Sequence, residues 1–269
     1  MIDLHSHILP GCDDGAADLA ASLAMARVAV ADGTRILACT PHILPGLYHN
    51  DAAGIGRRVL ALRKVLSDES IDLQLVIGAD VHIAPDLLQK LADKAVPTLN
   101  GSRYFLLEPP HHVVPPNFVA FVERLIEADY IPVVTHPERL TWVAKNYDLI
   151  ESVGRLGALM QITAGSLTGQ FGTQAKALSD RMLEEGRIDL VASDAHNVSG
   201  RSPVLSTAYA LVEEKAGAET ARNLFVETPA RILRNAEIRA VGMDAARGAK
   251  READAKSRAG KFWRMFQGR

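Results

Sequence analysis

The sequence predicts an α/β barrel of parallel strands, one unit short of the usual eight. Three observations predict it. Seven apolar runs bounded by turn residues alternate strictly with helical patterns. Several runs, such as Ile36-Leu37-Ala38-Cys39 and Pro132-Val133-Val134, are almost continuously apolar, as strands covered on both faces must be. His and carboxylate residues recur at the C-terminal ends of these runs, the end where such barrels carry their sites. A doubly wound open sheet satisfies the same alternation, since alternation alone does not decide closure.

In chain order the strands are expected at Ile2–His7, Arg35–Thr40, Leu73–Ala79, Tyr104–Glu108, Ile131–Thr135, Ala158–Ile162 and Ile188–Ser193. Helical periodicity falls between them, at Leu19–Ala31, Ile55–Leu66, Pro85–Leu91, Pro116–Ala128, Tyr147–Arg155 and Gln174–Glu185. Two more helices, Pro203–Lys215 and Ala218–Phe225, follow the last strand. No repeat or low-complexity linker interrupts this rhythm, so 1–238 reads as one domain and 239–269 as a separate tail.

Bulk properties narrow the class. A chain of 269 residues with 48% hydrophobic and 23% charged residues can bury a sizeable core. A net charge of -2 argues against a dedicated nucleic-acid binder. Two cysteines, Cys12 and Cys39, build no disulfide framework. No leader pattern and no apolar run near the ~20 residues of a membrane span are visible, which makes a cytoplasmic enzyme the expectation. From Arg247 to Arg269 eight basic residues face two acidic ones, ending in Phe262-Trp263-Arg264-Met265-Phe266. The composition suits a flexible terminus first, and second a short amphipathic segment docking on anionic lipid or an acidic partner.

The opening stretch, Ile2-Asp3-Leu4-His5-Ser6-His7 with Asp13-Asp14-Gly15, carries the chemistry. In an extended strand Asp3, His5 and His7 share one face, and paired imidazoles with carboxylates nearby are metal-ligand chemistry. The other strand ends supply His42, Asp80, Glu108, His136, Asp194 and His196. With His5, His7 and Asp14 this makes five imidazoles and four carboxylates on one rim. That set exceeds a tetrahedral zinc site and suits two or three divalent ions sharing carboxylates. Without thiolates the candidates are manganese, iron or zinc. His82 is read as structural or supporting, and His111-His112 as rim residues able to touch substrate. Arg139 and Arg201 add guanidinium forks, which match the oxygens of a phosphoryl group.

With these motifs the chain resembles the PHP (polymerase and histidinol phosphatase) superfamily, and within it the bacterial protein-tyrosine phosphatases of capsular and extracellular polysaccharide loci. The resemblance rests on the opening stretch, Thr40-Pro41-His42, Gly78-Ala79-Asp80, Leu107-Glu108, Thr135-His136-Pro137-Glu138-Arg139 and Ser193-Asp194-Ala195-His196-Asn197 with Arg201. It implies a distorted, TIM-barrel-like (β/α)7 barrel of the PHP type with a three-ion cluster, usually of manganese. By the family pattern one ion takes His5, His7 and Asp194, a second Glu108 and His136, and a third Asp14, His42 and His196. Residue 80 bridges the first two. The family places Glu there, and Asp80 reaches one C–C bond less, ~1.5 Å.

The implied activity is hydrolysis of phosphotyrosine on a bacterial tyrosine kinase that regulates polysaccharide synthesis and export. Metal-bound hydroxide attacks phosphorus, Arg139 and Arg201 clamp the phosphate, and His42 is a candidate acid. Two alternatives stand beside it: a phosphatase of a small metabolite resembling histidinol phosphate, and a weakly catalytic regulatory partner of the export machinery. Barrels of this family also assemble into homo-oligomers.

Overall fold

The apolar runs that read as strands lie together in a computed structural model describing residues 1–238; the tail at 239–269 lies outside the described residues. The strands are β1 (Ile2–Asp3), β2 (Ile36–Cys39), β3 (His42–Leu44), β4 (Tyr48–His49), β5 (Gln74–Ile77), β6 (Asp80–His82), β7 (Tyr104–Glu108), β8 (Ile131–Thr135), β9 (Leu159–Thr163) and β10 (Leu190–Ala192). Interleaved are α1 (Leu19–Ala31), α2 (Ala52–Asp68), α3 (Leu87–Ala92), α4 (Phe118–Glu127), α5 (Tyr147–Leu156), α6 (Ala164–Leu167) and α7 (Gly172–Glu184). After β10 come α8 (Ser206–Ala216), α9 (Ala218–Arg222) and α10 (Thr228–Leu233).

Two ladders, β1-β2-β5 and β10-β9-β8-β7-β6-β3-β4, are joined through two barrel strands that are each broken once. The second strand of the barrel runs through β2 and β3, broken at Thr40-Pro41, where proline has no N–H for the ladder. The third runs through β5 and β6, broken at Gly78-Ala79. Closure comes from a parallel bridge between Ser6 and Ala195. It is reinforced by His7 N–H donating to Ala195 O at 2.8 Å and Asp194 N–H donating to His5 O at 2.9 Å. Seven parallel strands therefore close on themselves, and the open-sheet alternative falls away. Among the described residues only the β3–β4 hairpin is antiparallel, pairing Ile43 with His49 and Leu44 with Tyr48.

Alternation along the strands separates two apolar layers. Ile2, Leu4, Ala38, Val76, Leu106, Val133, Leu159 and Leu190 pack with Tyr104 and Ile232 as the filling of the barrel. Leu37, Cys39, Leu75, Phe105, Leu107, Val134, Met160 and Val191 face the helices and join the larger cluster there. This two-sided burial is why the runs lack polar alternation. α10 seals the end away from the strand C-termini: Ile232 enters the barrel filling, and the Tyr104 hydroxyl donates to Ala236 O at 2.7 Å.

Three local differences from the expected elements have physical causes. α2 begins at Ala52 because Asp51 caps it, accepting from Gly54 N–H at 2.6 Å. The expected helix 218–225 divides into α9 and a π-helical turn, Asn223–Glu227, ahead of Pro229, which has no N–H to donate. Regular β1 ends at Asp3, so the period-two rule that grouped Asp3 with His5 and His7 stops there. Asp3 turns to Ser193, accepting from its N–H at 3.0 Å and from its hydroxyl at 2.5 Å.

Candidate metal centre

The polar strand ends converge on one rim. His5 and His7 follow β1, His42 and Asp80 begin the second halves of their strands, and Glu108 ends β7. His136 and Asp194 stand one and two residues past β8 and β10. Both take left-handed backbone, φ 36° and 52°, which turns the chain sharply at the strand end. All nine sequence-selected ligand candidates are brought together, and four overlapping sets place one ligand atom per residue within 4.8 Å of one another. The sets are His7, Asp14, His42, His196; His5, His7, Asp80; His42, His82, Glu108; and Glu108, His111, His136. Asp194 joins through Oδ1, at 3.3 Å from Nε2 of both His5 and His7.

The histidines are oriented from behind. His5 Nδ1 is 2.8 Å from Gln161 Oε1, His7 Nδ1 is 2.7 Å from Asp13 Oδ2, and His196 Nδ1 is 3.0 Å from Asp194 O. Each acceptor fixes the proton on Nδ1 and frees Nε2, which is how metal-binding imidazoles are held. Asp13 also accepts from His42 N–H at 2.8 Å and Gly15 N–H at 3.0 Å, tying the Asp13-Asp14-Gly15 turn to the rim. A methyl group on Gly15 would lie 2.1 Å from His7 O, so only glycine lets that turn pass.

Charge is the test of whether cations fit. Asp80 is fully buried, and neither of its oxygens has a hydrogen-bond partner. Two orphaned oxygens of a buried carboxylate are the signature of a cation site, since such a group otherwise costs far more than folding tolerates. Burial opposes charge at His5, but Asp194 and Asp80 outweigh it and push the imidazole up to about 10. His42 rises in the same way to about 9, with Glu108 and Asp80 overcoming burial. Burial also opposes ionisation of Glu108, yet His111, His42 and His82 hold its carboxyl far below the carboxylate range. Protons on these imidazoles stand where divalent ions would otherwise balance the carboxylates, and metal binding displaces them. The donor set of imidazole and carboxylate fits such ions.

Both sequence-selected arginines reach the rim. Arg201 Nη2 donates to Asp194 Oδ2 at 2.5 Å, and Arg139 Nη1 donates to the same oxygen. Asp194 thus offers one oxygen to the imidazoles and the other to the guanidiniums. Arg139 also lies over the Phe171 ring, 4.2 Å from its centroid, and lines a cavity of about 310 Å³ with His111, Thr141, Phe171 and Gln174. Glu138, buried beneath, accepts from Thr163 N–H at 3.0 Å and the Ser166 hydroxyl at 2.7 Å, fixing the turn that carries Arg139.

His82, read from sequence as structural or supporting, meets Glu108 Oε2 and groups with His42 and Glu108. Sequence reasoning missed Gln161. Gln161 lies two residues past the inward Leu159 on the one strand whose end had shown no His or carboxylate. His112 and His49 stay outside the ligand sets among the described residues.

Residues 1–234 match the family described as capsular polysaccharide synthesis, CpsB/CapC. The tyrosine-protein phosphatase YwqE of Bacillus subtilis (strain 168) is 40% identical over 238 residues, covering 88% of this chain and 93% of its own. The tyrosine-protein phosphatase CpsB of Streptococcus pneumoniae is 31% identical, covering 87% of this chain and 98% of its own. A solved structure from work on YwqE and CpsB, called there unique metal-dependent tyrosine phosphatases, superposes with TM-score 0.85 at 40% identity. It covers 88% of this chain and 96% of that one. A β-aspartyl dipeptidase from Fervidobacterium islandicum, at 14% identity and TM-score 0.54, shares the fold alone. The chain belongs to the CpsB/CapC family of capsular polysaccharide synthesis proteins.

Proposed function

We propose that this chain is a manganese-dependent protein-tyrosine phosphatase acting on an autophosphorylated tyrosine kinase of polysaccharide export. The observation that carries the reading is the joint placement of nine ligand candidates and two arginines on one barrel rim, in a family whose named relatives are tyrosine phosphatases. His5, His7 and Asp194 would hold one ion, Glu108 and His136 a second, and Asp14, His42 and His196 a third, with Asp80 beside the first. Bound ions supply an activated water and neutralise phosphate charge. Arg139 and Arg201, braced on Asp194, keep N–H groups for the non-bridging phosphate oxygens and for the charge that builds there in the transition state. A tyrosine leaving group has a pKa near ~10 and departs with less protonation help than an alkoxide. The cavity beneath Arg139 and Phe171 can take its ring.

Phosphate release from a phosphotyrosine peptide and from histidinol phosphate, with and without Mn²⁺, tests this. Turnover of the peptide that needs Mn²⁺, and that drops at least tenfold in Arg139→Ala, is expected. Turnover confined to histidinol phosphate would move the reading to a metabolite phosphatase. Metal-dependent turnover of neither would leave a binding partner and overturn it.

A further inference from the structure

His111 lies outside the nine residues selected from sequence, yet it faces the same carboxylate as they do. Its Nε2 is 3.3 Å from Glu108 Oε1, and His136 Nε2 is 3.6 Å from that oxygen on the other side. The two imidazole rings are 5.2 Å apart. Donor atoms bound to one transition ion at ~2.0–2.2 Å lie about 3–4 Å from each other; both separations to Glu108 Oε1 fall in that range, and the three residues offer ligand atoms within 4.8 Å of one another.

Asp80 has a different reach. Its Oδ2 lies 3.4 Å from His5 Nε2 and 3.4 Å from His42 Nδ1. Among the described residues it groups with His5 and His7, whereas Glu108 and His136 group with His111. Asp80, one methylene shorter than the glutamate the family resemblance implies, falls only in the His5 and His7 set among the described residues. Pro109-Pro110 carries the chain from Glu108 to His111, and proline's fixed φ limits the freedom of that step. Trp142 Nε1–H donates to Pro110 O at 2.9 Å and Thr141 N–H to His111 O at 3.0 Å, anchoring the backbone on both sides.

We propose that His111 is a protein ligand of the ion held by Glu108 and His136, supplying the donor that the shortened Asp80 does not. The inference rests on the metal centre proposed above, but not on the identity of its substrate. Wild type, His111→Ala, His111→Gln, His112→Ala and the double variant His111→Ala/Asp80→Glu are titrated with Mn²⁺. Bound ions per chain are counted by equilibrium dialysis, and the visible bands of the Co²⁺-loaded proteins report coordination.

His111→Ala should bind its weakest ion at least tenfold less tightly, or finish one ion short, with weaker Co²⁺ bands. His112→Ala should match wild type, His111→Gln should fall between, and the double variant should recover the missing ion. His111 is one-third exposed, so chelated wild type and the single His111 and His112 variants should unfold at the same temperature. Equal stoichiometry and affinity in wild type, His111→Ala and His111→Gln would overturn the assignment, as would a double variant still one ion short. Metal counts are read without any phosphate ester, so a wrong substrate assignment leaves this result intact.

Discussion

Gly15 shows how narrow the tolerances at single residues are. The turn after His7 brings its backbone so close that a Cβ on Gly15 would lie 2.1 Å from His7 O and 2.4 Å from His7 Cβ. Neither neighbour can yield, because Ala16 N–H donates to that same carbonyl at 2.9 Å and His7 Nδ1 is held by Asp13. Gly15→Ala should cost about 1–3 kcal/mol of stability, the usual range for overpacking, and should weaken metal binding by displacing His7 and Asp14 together. Calorimetry and Mn²⁺ titration on the same preparation check both. At this scale the sequence was informative where residue type and strand-end position coincide, and less so where one side chain orients another. Histidines and carboxylates at strand ends announce themselves by type and position. Gln161 does not, because a glutamine within an apolar run carries no sign that a histidine from β1's end will meet it across the barrel.

Among the elements, α5 and α7 are joined by one carboxylate. Glu185 accepts from the Tyr147 hydroxyl at 2.7 Å, Arg181 Nε at 2.8 Å and Arg187 Nε at 2.8 Å. These bonds, Tyr147's first, draw its pKa down to about 2. A carboxylate depressed on folding stabilises the native state above its unfolded pKa of ~4.3, and the effect is lost as pH falls toward the folded value. Wild type should therefore melt above Glu185→Gln at pH 7. The gap should close between about pH 4.3 and pH 2; a gap unchanged at pH 2 would disprove the linkage. Element boundaries were legible to within a few residues where caps and apolar runs coincide, as at α1, β7 and β8. The second and third strands were expected to end at Thr40 and Ala79; their continuation beyond those breaks as β3 and β6 was not legible, because His42-Ile43-Leu44 and Asp80-Val81-His82 are too short to carry a pattern of their own.

For the whole molecule the rim is a concentration of buried charge on an otherwise apolar barrel. Asp80 and His5 are fully buried, with Glu108, Asp194 and His136 nearly so. Ions that bind the folded rim and not the unfolded chain raise stability by RT ln(1 + [L]/Kd), about 2.7 kcal/mol at a hundredfold excess over Kd for one site. Chelation should thus lower the melting temperature by several degrees, and returning Mn²⁺ should restore it in a concentration-dependent way. Differential scanning calorimetry in EDTA and in graded Mn²⁺ reads this; a melting temperature indifferent to both would argue against resident ions. Closure of the barrel, left open by the alternation of elements, was decided by contacts between residues 6 and 195, which no local pattern reports.

That closing contact sets an order on synthesis. His5 and His7 leave the ribosome nearly 190 residues before Asp194, whose carboxylate stands between them. Loop closure over such a separation is among the slowest events a chain of this size performs. Through most of translation His5 and His7 have Asp13 and Asp80 to meet but lack Asp194, the carboxylate both imidazoles share. The proposed ion position is therefore complete only once the chain has passed Asp194 and the barrel has closed.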